Sequence, residues 1–302
     1  MATFTLPPHY QTAFYNNWLE IMAQQSDHRL AGLYDEFQVN GNAMRFDQIG
    51  AQSYAMRQKS ARTAASEPSD IPTFQRWLRP KPWDKTTWID EDDHILLGQL
   101  ADPTSPTASN HAIAINRLKD FLLIIGAIGT NYVGASGTTA VNLSAANQLA
   151  VNAGSGSANS GLQLFKLTQM SYLLDTADVP EEDRCLVYAA KQLNDLITNV
   201  DQVNNVLYNE VRALRDGRIR DFMGFKIVRT QLLPFVSGSS TLRTIFAFQK
   251  KFLVLGMGMD MSTKIDIIPE QSHTIQVRSK INLDVTRKEE AGVVTAICDE
   301  TL

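Results

Sequence analysis

The sequence predicts an α+β protein, and three observations carry that prediction. Near the C-terminus Ile275, Val277, Ile281, Leu283 and Val285 fall on one face of an alternating run, with Gln276, Arg278, Lys280, Asn282, Asp284 and Thr286 on the other. Period two is a strand with one buried and one wet face. At roughly 3.3 Å per residue this strand would run about 40 Å, against a usual strand of about 5–6 residues. The second observation is a helical stripe, Ile115, Leu118, Leu122 and Ile125, at spacings of three, four and three. The third is a stretch from about Asp35 to Asp90 where helical period fails, punctuated by Gly41, Gly50, Pro68, Pro72, Pro80 and Pro82.

In chain order, residues up to about Gln25 hold Phe4, Tyr10, Phe14, Tyr15 and Trp18 with little sustained period, apart from a short helix over residues 13–22. These aromatics need a surface to bury against, and an arm lying on another domain or subunit would have one. The punctuated stretch keeps strand-like pieces at residues 44–49 and 73–78. A structureless segment of that length is unusual in a compact domain, so it reads as an extended β excursion. Asp90, Glu91, Asp92 and Asp93 then precede a short helix at residues 94–100, with acids where a helix N-terminus favours them. The long helix spans about residues 107–128 and ends at Gly126 and Gly129. Residues 134–161 are rich in Gly, Ala, Ser, Thr and Asn and read as loop.

A helix is expected at residues 162–174, a turn at 179–183, a strand at 184–190 and a short helix at 191–197. Asp201 reads as an N-cap for a helix with Val203, Val206, Leu207, Val211 and Leu214 inward, closed by Gly217. Strands around residues 222–229 and 244–248 lead into the terminal ribbon. After a charged link at residues 287–292, residues 293–297 read as its return strand.

Composition excludes several function classes. The chain has 302 residues, enough for about two domains. A formal net charge of −4 gives no basic field for nucleic-acid binding by the whole surface. The two cysteines, Cys185 and Cys298, lie in apolar strand-like runs and read as buried small hydrophobes in a reducing compartment. The N-terminus lacks the basic and apolar regions of a signal peptide. The most apolar stretch, residues 121–129, is too short to span a bilayer. The expectation is a soluble chain made in a cytoplasm, with no membrane role.

No catalytic set emerges. Residues 129–136 have the glycine spacing of a phosphate loop, but Ala135 replaces the required lysine and a helix precedes it. The run Gly256-Met257-Gly258-Met259-Asp260-Met261 lacks the third glycine of a dinucleotide loop and reads as a strained turn. Consecutive acids before His94 cannot all face one ion, and the five histidines show no ligand spacing. The residues around Ser155 and Ser157 are low-complexity loop, not a nucleophile elbow. The expectation is no enzyme, no metal and no cofactor. Three of the four tryptophans (Trp77, Trp83, Trp88) lie close to Arg76, Arg79, Lys81 and Lys85. Single-strand nucleic-acid binders interleave such residues. Asp84 and Asp90 interrupt this set, and Trp and Arg are also favoured in protein–protein hot spots, which is the preferred reading.

Four local runs carry a family resemblance. Residues 184–193 (Arg-Cys-Leu-Val-Tyr-Ala-Ala-Lys-Gln-Leu) form a strand-then-helix, and Phe222-Met223-Gly224-Phe225-Lys226-Ile227-Val228 a glycine–aromatic strand. Phe246-Ala247-Phe248-Gln249-Lys250-Lys251 precedes an apolar run, and Gly292-Val293-Val294-Thr295-Ala296-Ile297 closes the chain. In that order and spacing the chain resembles the major capsid proteins of tailed bacteriophages, the Hong Kong ninety-seven type of fold, which encapsulins and herpesvirus floor domains share.

The resemblance implies an N-terminal arm at residues 1–35, an extended E-loop at 36–92, a peripheral domain with the spine helix at 93–129, an axial domain at 130–269 and a closing peripheral hairpin at 270–302. It implies burial of arm and E-loop on neighbouring subunits, with Phe14, Trp18, Arg76, Trp77, Arg79, Lys81, Trp83 and Trp88 as candidate contacts. The implied role is a major capsid protein that self-assembles, as pentamers and hexamers, into the head shell around double-stranded DNA. Portal and scaffolding proteins, and a decoration protein, are the implied partners. The implied location is the virion, after assembly in the host cytoplasm. No long charged prodomain precedes the arm, so the expected scaffold is a separate protein or one already removed. An encapsulin-like compartment is the alternative.

Overall fold

The computed structural model describes residues 28–50, 62, 73–89, 104–156, 158–199, 221–271 and 273–301. The arm with Phe14 and Trp18, most of the excursion between 51 and 72, and the expected helices at 94–100 and after Asp201 lie outside the described residues. Four strands come first: β1 Asp35–Gln38, β2 Met44–Ile49, β3 Thr73–Leu78 and β4 Lys81–Ile89. Helix α1 covers Thr104–Ile128 and is followed by β5 Asn131–Val133, β6 Thr139–Val141 and β7 Gln148–Leu149. Then come α2 Leu164–Thr176, β8 Arg184–Tyr188 and α3 Ala190–Asn199. The chain closes with β9 Asp221–Phe222, β10 Phe225–Arg229, β11 Leu242–Gln249, β12 Leu253–Ile268, β13 Thr274–Arg287 and β14 Val293–Asp299.

These strands make three sheets, with orders β1-β12-β13-β4, β7-β14-β11-β8-β10-β9 and β2-β3-β5-β6. The chain divides into two compact units. One holds Pro82–Leu118 and Asp260–Ile281, with Met1–Asp27. The other holds His28–Lys81, Lys119–Met259 and Asn282–Leu302.

In the second unit the six-stranded sheet forms the core. All five residues of β8 are buried, as expected for a strand covered on both faces, whose apolar run is continuous rather than alternating. It pairs in parallel with β10 and antiparallel with β11. Arg184 locks the turn before β8, donating to Pro180 O at 3.0 Å, to Val179 O and to Asp175 Oδ1 at 2.6 Å. The Gln192 side chain accepts from Ala189 N at 3.2 Å, one half of a capping box at the start of α3.

The long alternating strand is β13, and its apolar face is buried: Val277 0 %, Ile281 1 % and Leu283 0 % exposed. Its hydrogen-bonded neighbour is β12, reached through the five residues 269–273, so the long hairpin is β12–β13. The expected return strand, β14, leaves the ribbon. It runs antiparallel to β11 from Leu242↔Asp299 to Phe248↔Val293 and parallel to β7. Val293, Val294, Ala296 and Cys298 put apolar atoms on both faces of β14, which a half-wet ribbon cannot bury and the centre of a covered sheet can.

The strained turn expected at residues 256–261 is instead the interior of the 16-residue β12. The glycines serve close approach. A Cβ on Gly256 would lie 1.9 Å from Leu78 Cδ2, and one on Gly258 2.8 Å from Asn282 Nδ2. The loop expected at 134–161 contains β6, β7 and a 3-10 turn at Ala145–Asn147.

Helix α1 buries a different stripe from the expected one. Ile115, Leu123, Ile124 and Ala127 are buried, Leu118 and Leu122 are half-buried, and Ile125 is 39 % exposed. Five consecutive apolar residues, 121–125, make the helix apolar all round there, so periodicity cannot select its inward face. Packing selects it: a Cβ on Gly126 would lie 2.5 Å from Val285 Cγ1.

Candidate functional site: the base of the β excursion and the free surfaces

The excursion returns along β3, whose polar residues are tied into their own subunit. Arg76, 7 % exposed, makes a two-pronged ion pair with Glu290, Nη1 to Oε1 at 2.7 Å and Nη2 to Oε2 at 2.6 Å. Burial works to raise the Glu290 carboxyl. The Arg76 hydrogen bonds and the charges of Arg76 and Arg287 outweigh it and hold the carboxyl below its ordinary value. Arg287 has no exposed surface. Its Nη1 donates to Ala127 O at 2.7 Å and Gly129 O at 2.6 Å, carbonyls that the C-terminus of α1 leaves without helical partners. The Asn131 amide oxygen, turned toward the guanidinium, accepts from Nε at 3.0 Å and from Arg287 N at 3.2 Å. Burial pulls Arg287 down to about 10, so it remains a cation at neutral pH beside the negative end of the helix dipole.

Trp77 and Arg79 close the same base. Trp77 Nε1 donates to Gly134 O at 2.6 Å and Arg79 Nη2 to Ser136 O at 3.0 Å. The Arg79 guanidinium stands 5.5 Å from the Trp77 ring centroid. Gly137, at φ +65°, lets the β5–β6 turn lie on this ring, because a Cβ there would come within 2.6 Å of it. Arg79 N donates to Asp284 Oδ2 at 3.0 Å, and burial raises the Asp284 carboxyl.

The segment where the expected arm joins the body is fixed by Asp120, 3 % exposed on α1. Its Oδ1 accepts from Leu30 N at 3.1 Å and its Oδ2 from Arg29 N at 3.0 Å, and Oδ1 pairs with His28 Nδ1 at 2.5 Å. His28 Nε2 in turn meets Tyr34 OH at 2.8 Å. The sequence stripe placed no function on Asp120.

In the first unit, His111 on α1 is 1 % exposed. Its Nε2 meets Thr87 Oγ1 of β4 at 2.8 Å and its Nδ1 meets Ser279 Oγ of β13 at 3.1 Å. Thr263 Oγ1 of β12 lies 3.0 Å from the same serine oxygen. Burial, aided by the charge of Lys85, lowers His111 below its ordinary value. Every polar neighbour in this relay is a hydroxyl and none is a carboxylate, so the ring stays neutral at pH 7.

The sequence-selected contact residues therefore separate. Phe14 and Trp18 lie outside the described residues. Arg76 is taken up inside its own subunit and Trp77 half so: the Arg76 Nη atoms pair with Glu290 in the loop after β13, and Trp77 Nε1 donates to Gly134 O in the β5–β6 turn. Arg79 and Lys81 are exposed. Trp83 is 37 % exposed and Trp88 57 %. Exposed apolar residues that sequence reasoning did not select join them: Ile49 at 74 %, Phe74 at 59 %, and Ile265 and Ile267 at 52 % and 62 %. Among the described residues no three or more His, Cys, Asp or Glu gather as a metal site. Cys185 and Cys298 are both buried and free, their thiols pushed up to about 11 and about 12.

The model of the phage capsid protein family matches residues 6–300. The chain belongs to the phage capsid protein family. Solved structures agree in fold. A protein of Mycobacterium phage Che8 is 16 % identical, with TM-score 0.69 and 99 % of each chain covered. The capsid asymmetric unit of cyanophage Pam1 is 13 % identical, with TM-score 0.72 and 99 % of each covered. An encapsulin complex from Synechococcus elongatus is 9 % identical, with TM-score 0.63, covering 99 % of this chain and 98 % of that one. No curated protein matches. As a major capsid protein of this family the chain is a shell subunit of the virion.

Proposed function

We propose that this subunit closes into the icosahedral head shell of a tailed phage around double-stranded DNA, through pentamers and hexamers of itself. The family match over residues 6–300 carries this reading. In it, residues 1–35 are an arm and 36–92 an E-loop, and both are buried on neighbours. The six-stranded sheet with α2 and α3 is the axial domain, and β14 belongs with it. Helix α1 with the β12–β13 hairpin is the peripheral domain. Trp83 and Trp88, with Arg79 and Lys81, are the E-loop's exposed candidate contacts. Each contact is modest, but each subunit makes several, so the closed shell gains from multivalency. A portal, a scaffold and a decoration protein are its expected partners, assembly proceeds in the host cytoplasm, and the role asks for no catalysis. Electron microscopy of the expressed full chain tests this: closed particles or capsomers are expected, and a strictly monomeric species at high concentration overturns it. The encapsulin match favours one second reading, a cellular compartment. A co-purifying enzyme cargo inside the particles would support that reading, and packaged DNA would exclude it.

A further inference from the structure

The two edges of the β1-β12-β13-β4 sheet are built differently. On one side β4 is guarded: Pro82 cannot donate, and Asp84 is held by Arg278 at 3.0 Å. On the other side β1 covers β12 only from Val254 to Met257. Beyond that, no described strand pairs with the outer edge of residues 260–268. This edge has no Pro and no Gly, runs nine residues, and carries Ile265 and Ile267 at more than half exposure. A long edge without a described partner strand, carrying exposed apolar residues, is a template for another strand.

Its charges specify which strand. Lys264 and Asp266 flank Ile265 on the opposite face, with opposite signs. In an antiparallel pairing of two copies centred on Ile265, Lys264 of each copy faces Asp266 of the other. Ile265 then meets Ile265, and Thr263 meets Ile267. Both cross-strand charge pairs are attractive, and the apolar residues share one face. The edge is thus complementary to itself, as a twofold contact requires.

We infer that residues 260–268 form a twofold, edge-to-edge β contact between two copies of this chain, fusing their sheets in the shell. The inference rests on the shell reading above, and the experiment separates the two. In particles of the full-length Ile265→Cys chain, mild oxidation should give a disulfide-linked dimer on a non-reducing gel. Facing Cα atoms of an antiparallel pair lie about 4.5–5.5 Å apart, within disulfide reach, and the native cysteines are buried. Lys264→Asp and Asp266→Lys should each weaken pairing about tenfold, since each makes two like-charge oppositions. The double variant Lys264→Asp/Asp266→Lys should restore it. Circular dichroism melting, unchanged for these exposed positions, separates pairing from folding. Intact Ile265→Cys particles that yield no crosslinked dimer, or a double variant as defective as the singles, overturn the twofold edge and leave the shell reading standing. The second of these results would point to an unlike segment on the edge. A wild-type chain that never assembles overturns both.

Discussion

Arg287 carries a full charge into a place with no exposed surface, and what it touches explains why. It satisfies the carbonyls at the end of α1, and its neighbour Glu290 holds Arg76, so one loop binds the helix terminus and the root of the excursion together. Arg287→Ala should cost about 1–3 kcal/mol in urea unfolding of the subunit, the usual cost of leaving buried hydrogen-bonding groups without a partner. His111 gives a pH signature. Its pKa in the folded chain is below the 6.5 of the unfolded chain. Below about pH 6.5 the unfolded state therefore binds the extra proton first, so the stability it contributes is present above that pH and fades as pH falls. Carboxylates held low, such as Glu290, add their loss only in more acidic solution. Melting temperature should drop between pH 7 and 5, and His111→Gln should flatten that slope while lowering the pH 7 value.

At the scale of elements, β12 shows how a strand of 16 residues passes close to its neighbours. Gly256 makes room for Leu78, which is fully buried. Gly256→Ala should cost about 1–3 kcal/mol by overpacking. Combined with Leu78→Ala it should cost less than the sum of the two, a coupling that denaturant titration of the four variants reads directly. The tryptophans separate in the same way. Trp77→Ala should lower the subunit's own unfolding midpoint, because the ring carries a hydrogen bond and the β5–β6 turn. Trp88→Ala should leave that midpoint within about 0.5 kcal/mol and reduce particle yield, and equal losses in both assays would place the Trp88 ring in its own subunit's core.

For the molecule as a whole, the sequence by itself determined the α+β class, the long ribbon strand, the spine helix and the β excursion. Each rests on a local pattern: period two in residues 275–285, apolar residues at helical spacing in residues 115–125, and repeated Pro and Gly breaks. It also determined that Cys185 and Cys298 are buried, since both sit in apolar strand-like runs. Three things were decided only by the tertiary structure. Which strand closes the hairpin depends on pairing between distant segments, and β14, apolar on both faces, belongs in the covered sheet beside β11 rather than on a half-wet ribbon. Which face of α1 turns inward depends on the contact of Gly126 with Val285, because five apolar residues in a row carry no periodic signal. Whether an Arg or Trp faces outward depends on partners far along the chain, so Arg76 and Trp83, seven residues apart in one cluster, end in opposite places. Local pattern fixes an element's type because its cause lies within a few residues. Pairing, facing and exposure are set by atoms that meet only after the chain has folded.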